Sequence, residues 1–282
     1  MSHKRLSKKA IFLIAWISLI VLIVVGIILL LPHSPEKDES IKEVMKDGVL
    51  HEDNKMNLFG MSVNPGLISA YVVTAILLVA VAIIRIFAIP KFKYTPGKFQ
   101  SVIEKLVEFF SDMAKSNSPH KSKFVGAYIF SAGVYIFSST LFELFGIQAV
   151  TTGDRSVSLS APISDINAAI AMGVMSYLVI LGAGIVCNGF KGALGVLKDF
   201  SLPISMSFRL FGALLSGLLV TELVYYYVSL SFVLPVIVGI LFTLLHAIIQ
   251  TYVLTTLVSV FYGEATEPKK IKAKKVKSNE TH

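Results

Sequence analysis

A chain of 282 residues with 54% hydrophobic and 16% charged residues, and a mean hydropathy of +0.73, is no ordinary water-soluble domain, because such domains are about one-quarter charged. The net charge of +8 is no nucleic-acid signal either, since the lysines cluster beside apolar segments, the pattern of cytoplasmic loops in membrane proteins. The single cysteine, Cys187, excludes an internal disulfide and reads as a helix-packing thiol.

Apolar runs of about 20 residues indicate spanning helices, and the alternating segments of a transmembrane barrel do not occur. In lipid every backbone group has to be satisfied within its own segment, which selects helices. The first run, Ala10–Leu31, follows the basic stretch HKRLSKK and is too long for a cleavable leader. It predicts an uncleaved anchor over residues 1–32. Residues 33–64 are polar, of mixed charge and weak helical pattern, and read as an external loop. A second span covers Gly66–Ile89, and the lysine-rich PKFKYTPGKFQ follows. In Phe99–Lys115 the apolar positions 99, 102, 103, 106, 107, 109, 110 and 113 share one face opposite the charges. That pattern predicts an amphipathic helix lying in the membrane interface.

The third span is Phe124–Ile147, and the polar QAVTTGDRSVS leads to a fourth at Ile163–Cys187. NGFKGALGVLKDF then returns through the cytoplasm, and Phe200–Ser231 and Phe232–Tyr262 complete the apolar part. Pro203 and Pro235 fall near the starts of these last two helices, where proline is tolerated. A helix of about 32 residues is roughly 48 Å long against a hydrocarbon core of about 30 Å, so strong tilt or bending is expected. The reading is an all-α polytopic membrane protein with six transmembrane helices, the last two long and strongly tilted, plus one interfacial helix. Residues 65–263 form its main membrane domain and 264–282 a basic tail. With the N-terminus inside, cytoplasmic segments hold 20 Lys and Arg and external loops 5, which places both termini in the cytoplasm.

From Phe200 to Gly263 the only charged or histidine side chains are Arg209, Glu222 and His246. An arginine cannot be neutralised by burial, and an intramembrane ionisable residue is a functional candidate by default. Snorkelling to the interface or a structural ion pair with Glu222 are the bland alternatives. Glu222 lies thirteen residues further on, about 20 Å along a helix, and is no local partner. Gly212, Ala213, Ser216 and Gly217 share the helix side of Arg209, and small residues permit close approach of another surface. On the last helix His246 and Gln250 are four apart. Glu143, Asp165, Asn167 and Glu222 all fall toward the outer side, which suggests a wet cavity open outward. Histidines 3, 33, 51, 120, 246 and 282 lack metal-ligand spacing, and no phosphate-binding loop occurs. No cofactor is expected.

These residues resemble subunit a of F-type ATP synthases, the stator subunit of the membrane motor. SMSFRLFGALLSG (205–217) is similar to the family's arginine motif, and HAIIQTYVLTTLVSVFYGEA (246–265) to its sixth helix, with Gln250 at the glutamine position. APISDINAAIAM (161–172) is similar to a proline–aspartate–asparagine stretch, and PGKFQSVIEKLVEFF with HKSK to the segment after the first helix. The resemblance covers about residues 58–265. Three positions depart from the family: Ala213 replaces an asparagine, Leu218 a glutamate, and Thr243 a glutamate or histidine. The outer-channel acid and its partner are then relocated to Glu222 and His246. The anchor at 10–31 lies outside the usual five-span pattern.

The resemblance implies a multi-pass protein of the bacterial plasma membrane. Its implied partners are a ring of small carboxyl-bearing hairpin subunits, the peripheral stalk and other ATP synthase subunits, and its cargo H⁺ or Na⁺. Arg209 and Gln250 would carry ion translocation, without performing the ATP chemistry. Two other functions fit the residues: a secondary transporter or channel without a ring, and a degenerate structural paralogue. Inverted repeats would favour the first, and none is evident.

Overall fold

The computed structural model describes residues 56–58, 61–150, 156–226 and 234–268, with positions 9, 16–19, 21, 22 and 25. Most of the predicted anchor at 10–31, most of the external loop and the basic tail from 269 lie outside the described residues. The elements are a hairpin of β1 (Met56–Leu58) and β2 (Met61–Val63), then α1 (Pro65–Ile83), α2 (Lys98–Asn117) and α3 (Ser122–Phe142). A second hairpin, β3 (Gln148–Val150) and β4 (Ser156–Ser158), precedes α4 (Ile166–Leu197), α5 (Ser201–Tyr226) and α6 (Leu234–Thr266). Both hairpins are antiparallel; Met56 faces Val63, and Gln148 faces Ser158.

The helix boundaries follow local chemistry. Asn64 caps α1, its carbonyl accepting the Leu67 N–H, and Pro65 fills the first helical position. At the far end of α1 a π turn, Ile84–Ala88, and a 3-10 turn, Ile89–Lys91, carry the chain out past Pro90. After α3 a 3-10 turn, Glu143–Phe145, ends at Gly146, whose φ of 56° is left-handed, a conformation that favours glycine.

Among the described residues four helices are long and apolar enough to cross a membrane: Pro65–Lys91, Ser122–Phe145, Ile166–Leu197 and Ile237–Thr266. Their exposed faces are oily. Tyr71, Ile76, Leu78, Val79, Val81 and Ile83 of α1 are all more than half exposed. The inward face of α6 instead carries Thr243, Gln250, Thr255, Ser259 and Thr266. Apolar outside and polar inside is the pattern for a helix whose solvent is hydrocarbon. The chain is a multi-pass membrane protein.

Two expectations are revised. Residues 56–63, read as part of an irregular loop, contain a short β-hairpin. The first part of α4 breaks at Gly189 (φ 59°, ψ −145°), two residues past the expected end at Cys187, and a second helical stretch follows to Leu197 where a cytoplasmic return was expected. Beyond that turn Gly192 lies against the Gly184 carbonyl, and Val196 accepts a 3.3 Å hydrogen bond from the Tyr177 hydroxyl. Much of the predicted cytoplasmic return is therefore helix folded back on its own stem. Within the described residues the fifth helix covers Ser201–Tyr226, and the rest of the expected span, 227–231, lies outside them. At about 39 Å this length is already enough to cross the core.

The described residues form two compact units; α1, α3, α4, α5 and α6 contribute to both, and α2 lies wholly in unit two. Unit one holds the residues up to Val81, Tyr135–Ala169 and Arg209–Gln250. Its apolar core is Val73, Phe142 and Leu159, with Val63, Ile68, Val72, Leu77 and Tyr135 packed around it. Unit two holds Ala82–Val134, Ile170–Phe208 and the residues from Thr251 on. There α2 docks on α6. Ser118 donates to the Ser259 carbonyl at 2.7 Å, Ser259 to the Met113 carbonyl at 3.3 Å, and Gly263 lies directly against the Asn117 carbonyl. The Asn188 amide donates to the carbonyls of Ala265 and Glu267 at 2.9 and 3.1 Å, satisfying groups that a helix C-terminus leaves open.

Candidate functional site

All the site residues read from the sequence fall in unit one. Arg209 is on α5 and is exposed, with Gly212 and Ser216 exposed beside it and Ala213 half-buried. A side chain added at Gly212 would meet nothing within 4 Å. Among the described residues Arg209 makes no hydrogen bond and no ion pair. Gly217 differs from its neighbours on this helix side. A Cβ there would come 3.2 Å from His246 Nδ1, so Gly217 is where α5 meets α6 within the chain. The five residues grouped by helical spacing thus divide into an open face around Arg209 and an internal contact at Gly217.

On α6 the polar side chains line up. Thr243 and Gln250 are buried, and the half-buried His246 lies between them, its ring 5.9 Å from that of Phe242. Positions 243, 246 and 250 share one helix face. Among the described residues neither the Thr243 hydroxyl nor the Gln250 amide has a hydrogen-bond partner. Leaving a buried polar group unpaired costs about 1–3 kcal/mol. Thr243 is the residue that sequence reasoning treated only as a departure. Its spacing of three from His246 and seven from Gln250 is the signal that places it with them.

The outer-side residues are less alike than their sequence grouping suggests. Asp165 is the N-cap of α4: its Oδ1 accepts the Asn167 N–H at 2.8 Å, and its carbonyl accepts the Ala169 N–H. Its side chain also lies against the start of α1, where a Cβ on Gly66 would be 3.1 Å from Asp165 Cβ. Asp165 therefore has a local structural role that its polarity alone did not reveal. An aspartate just before an apolar run is a capping signal, and it sets the helix start at Ile166 rather than Ile163. Asn167 is exposed. Glu143 is half-buried in the turn after α3. Glu222 lies on α5, and its side chain lies outside the described residues.

Among the described residues no group of three or more His, Cys, Asp or Glu could hold a metal ion. The arrangement offers instead one uncovered guanidinium, a face of small side chains around it, and a separate buried polar row on α6. Residues 68–263 match the family described as ATP synthase A chain.

Proposed function

The chain belongs to the ATP synthase A chain family, the ion-translocating membrane subunit of an ATP synthase complex, and on that premise we propose that Arg209 separates two half-channels that serve a rotating ring. The observation that carries this reading is the exposed guanidinium, with no ion-pair partner among the described residues, flanked by exposed Gly212 and Ser216. Such a face suits a passing carboxyl-bearing surface. A ring carboxyl facing lipid has to be neutral, because a bare charge there is expensive. Opposite Arg209 it is driven to ionise, because a nearby cation lowers a carboxyl's pKa.

An ion then enters from the outer side and neutralises one ring carboxylate, and the ring carries that site into lipid. On return the ion leaves to the cytoplasm on the other side of Arg209. The fixed charge keeps the two paths from joining into a leak. Each elementary charge crossing releases about 2.3 kcal/mol per 100 mV. The Thr243, His246 and Gln250 row supports a polar path along α6, with Glu222 as its outer acid. In this proposal six helices span a bacterial plasma membrane with both termini in the cytoplasm.

The test is ATP-driven ion uptake into inverted membrane vesicles, wild type against Arg209→Ala at equal assembly. Uptake is expected to vanish while ATP hydrolysis by the soluble head remains. Equal uptake by the two would overturn the role of Arg209.

A further inference from the structure

The elbow between α1 and α2 contains a feature that ion translocation does not use. The chain leaves α1 through its π and 3-10 turns, crosses residues 92–97 and enters α2 at Lys98. These residues enclose an open cleft of about 600 Å³. Lys91, Lys93 and Lys98 line it, together with Phe92, Phe99 and Gln100, and no acidic side chain lines it. All three lysines are exposed.

The cleft is held in shape. The Lys93 N–H donates to Gln100 Oε1 at 3.0 Å, and Gln100 Nε2 donates back to the Lys93 carbonyl at 2.8 Å. The same Nε2 lies 2.7 Å from Glu104 Oε1, which fixes the amide. The glutamine clips the loop to the first turn of α2, so the lysines project from a constrained backbone.

The surroundings say where the cleft sits. The helix before it is a candidate membrane span. The helix after it is amphipathic, with Phe99, Val102, Leu106, Val107 and Phe109 exposed. An apolar stripe of this kind lies at the headgroup–acyl boundary. The elbow is therefore at headgroup depth, with cations at its mouth and an oily stripe leading away.

We infer that this cleft is a binding site for the phosphate headgroup of an anionic phospholipid, its acyl chains lying along the exposed stripe of α2. Three lysines around one cleft are opposite in sign to a phosphate, and basic residues beside a membrane draw anionic lipid toward them. The flanking stripe distinguishes a lipid from a soluble phosphate, which has no use for it. A loop that only set membrane orientation would need the lysines but neither the glutamine clip nor the cleft.

The test uses the full chain in bilayers, with Trp16→Phe removing the only tryptophan and Tyr94→Trp placing a reporter at the fully exposed residue of the elbow. Dibrominated phosphatidylglycerol is expected to quench the reporter severalfold more strongly than dibrominated phosphatidylcholine at equal mole fraction. The excess should fall to near unity in Lys91→Gln/Lys93→Gln/Lys98→Gln. It should persist in Lys105→Gln/Lys121→Gln/Lys123→Gln, which loses the same charge elsewhere. Unchanged quenching by the phosphatidylcholine probe reports that the elbow keeps its depth. If it changes in the triple variant, Lys93→Gln alone is read, with a partial loss expected. Equal quenching by both lipids in the starting chain overturns the site, as does equal loss in both triple variants. Loss of the excess with inorganic phosphate, but not with chloride at matched ionic strength, would make it a soluble-anion site and overturn the lipid assignment.

Discussion

The two units hold their helices together by different means. In unit two, side chains bond across helices: Ser118 to the Ser259 carbonyl, Tyr128 to Ser176 at 2.9 Å, and Asn188 to the end of α6. Its glycines are contact points, since a Cβ on Gly133 would come 2.7 Å from the Phe110 ring and one on Gly173 would strike the Ser207 hydroxyl. Unit one relies on an apolar cluster and on the Tyr135 hydroxyl bonding Thr74. Its closest glycine contacts are looser, at 3.1 Å for Gly66 and 3.2 Å for Gly217. It also carries the open arginine face and the buried polar row of α6. Without a hydrophobic force between helices in lipid, van der Waals contact and hydrogen bonds must provide adhesion. Unit two has both in quantity, whereas in unit one Arg209, Thr243 and Gln250 have no hydrogen-bond partner among the described residues.

The largest effect is expected where unit one is most exposed. Arg209→Lys keeps a cation but loses the planar fork and gains a titratable amine. Coupled uptake in inverted vesicles should be lost or badly impaired, and normal pumping would show that any fixed charge suffices. The second effect should come from unit two. Gly263→Ala would ordinarily gain about 1 kcal/mol of helix propensity. Here the added methyl meets the Asn117 carbonyl, and overpacking of that kind costs about 1–3 kcal/mol. A lower thermal midpoint of the purified chain is expected, and an unchanged one would mean that the α2–α6 contact yields freely.

Glu222→Gln sharpens the contrast from the other side. It should slow ion uptake severalfold with assembly intact. An unchanged rate would leave Leu218 as a lost channel acid with no replacement. The smallest effect is expected for Ser118→Ala. It removes one hydrogen bond to the Ser259 carbonyl, worth about 1 kcal/mol, so thermal stability should fall slightly with no change in uptake. A change in uptake at equal assembly would contradict the assignment of that contact to adhesion.

The sequence itself determined the membrane class, the amphipathic helix and the Arg209 and Gln250 motifs, because apolar runs, helical period and local motifs are properties of neighbouring residues. Predicted Phe99–Lys115 and observed Lys98–Asn117 agree closely for that reason. Tertiary structure decided what depends on distant partners. It made Asp165 a helix cap, folded residues after Gly189 back on α4, and turned Gly217 inward against His246 while Gly212 stayed open. Glycine carries no side chain whose polarity could betray its neighbour. The same residue type reads as open face or tight contact only once the approaching helix is in place.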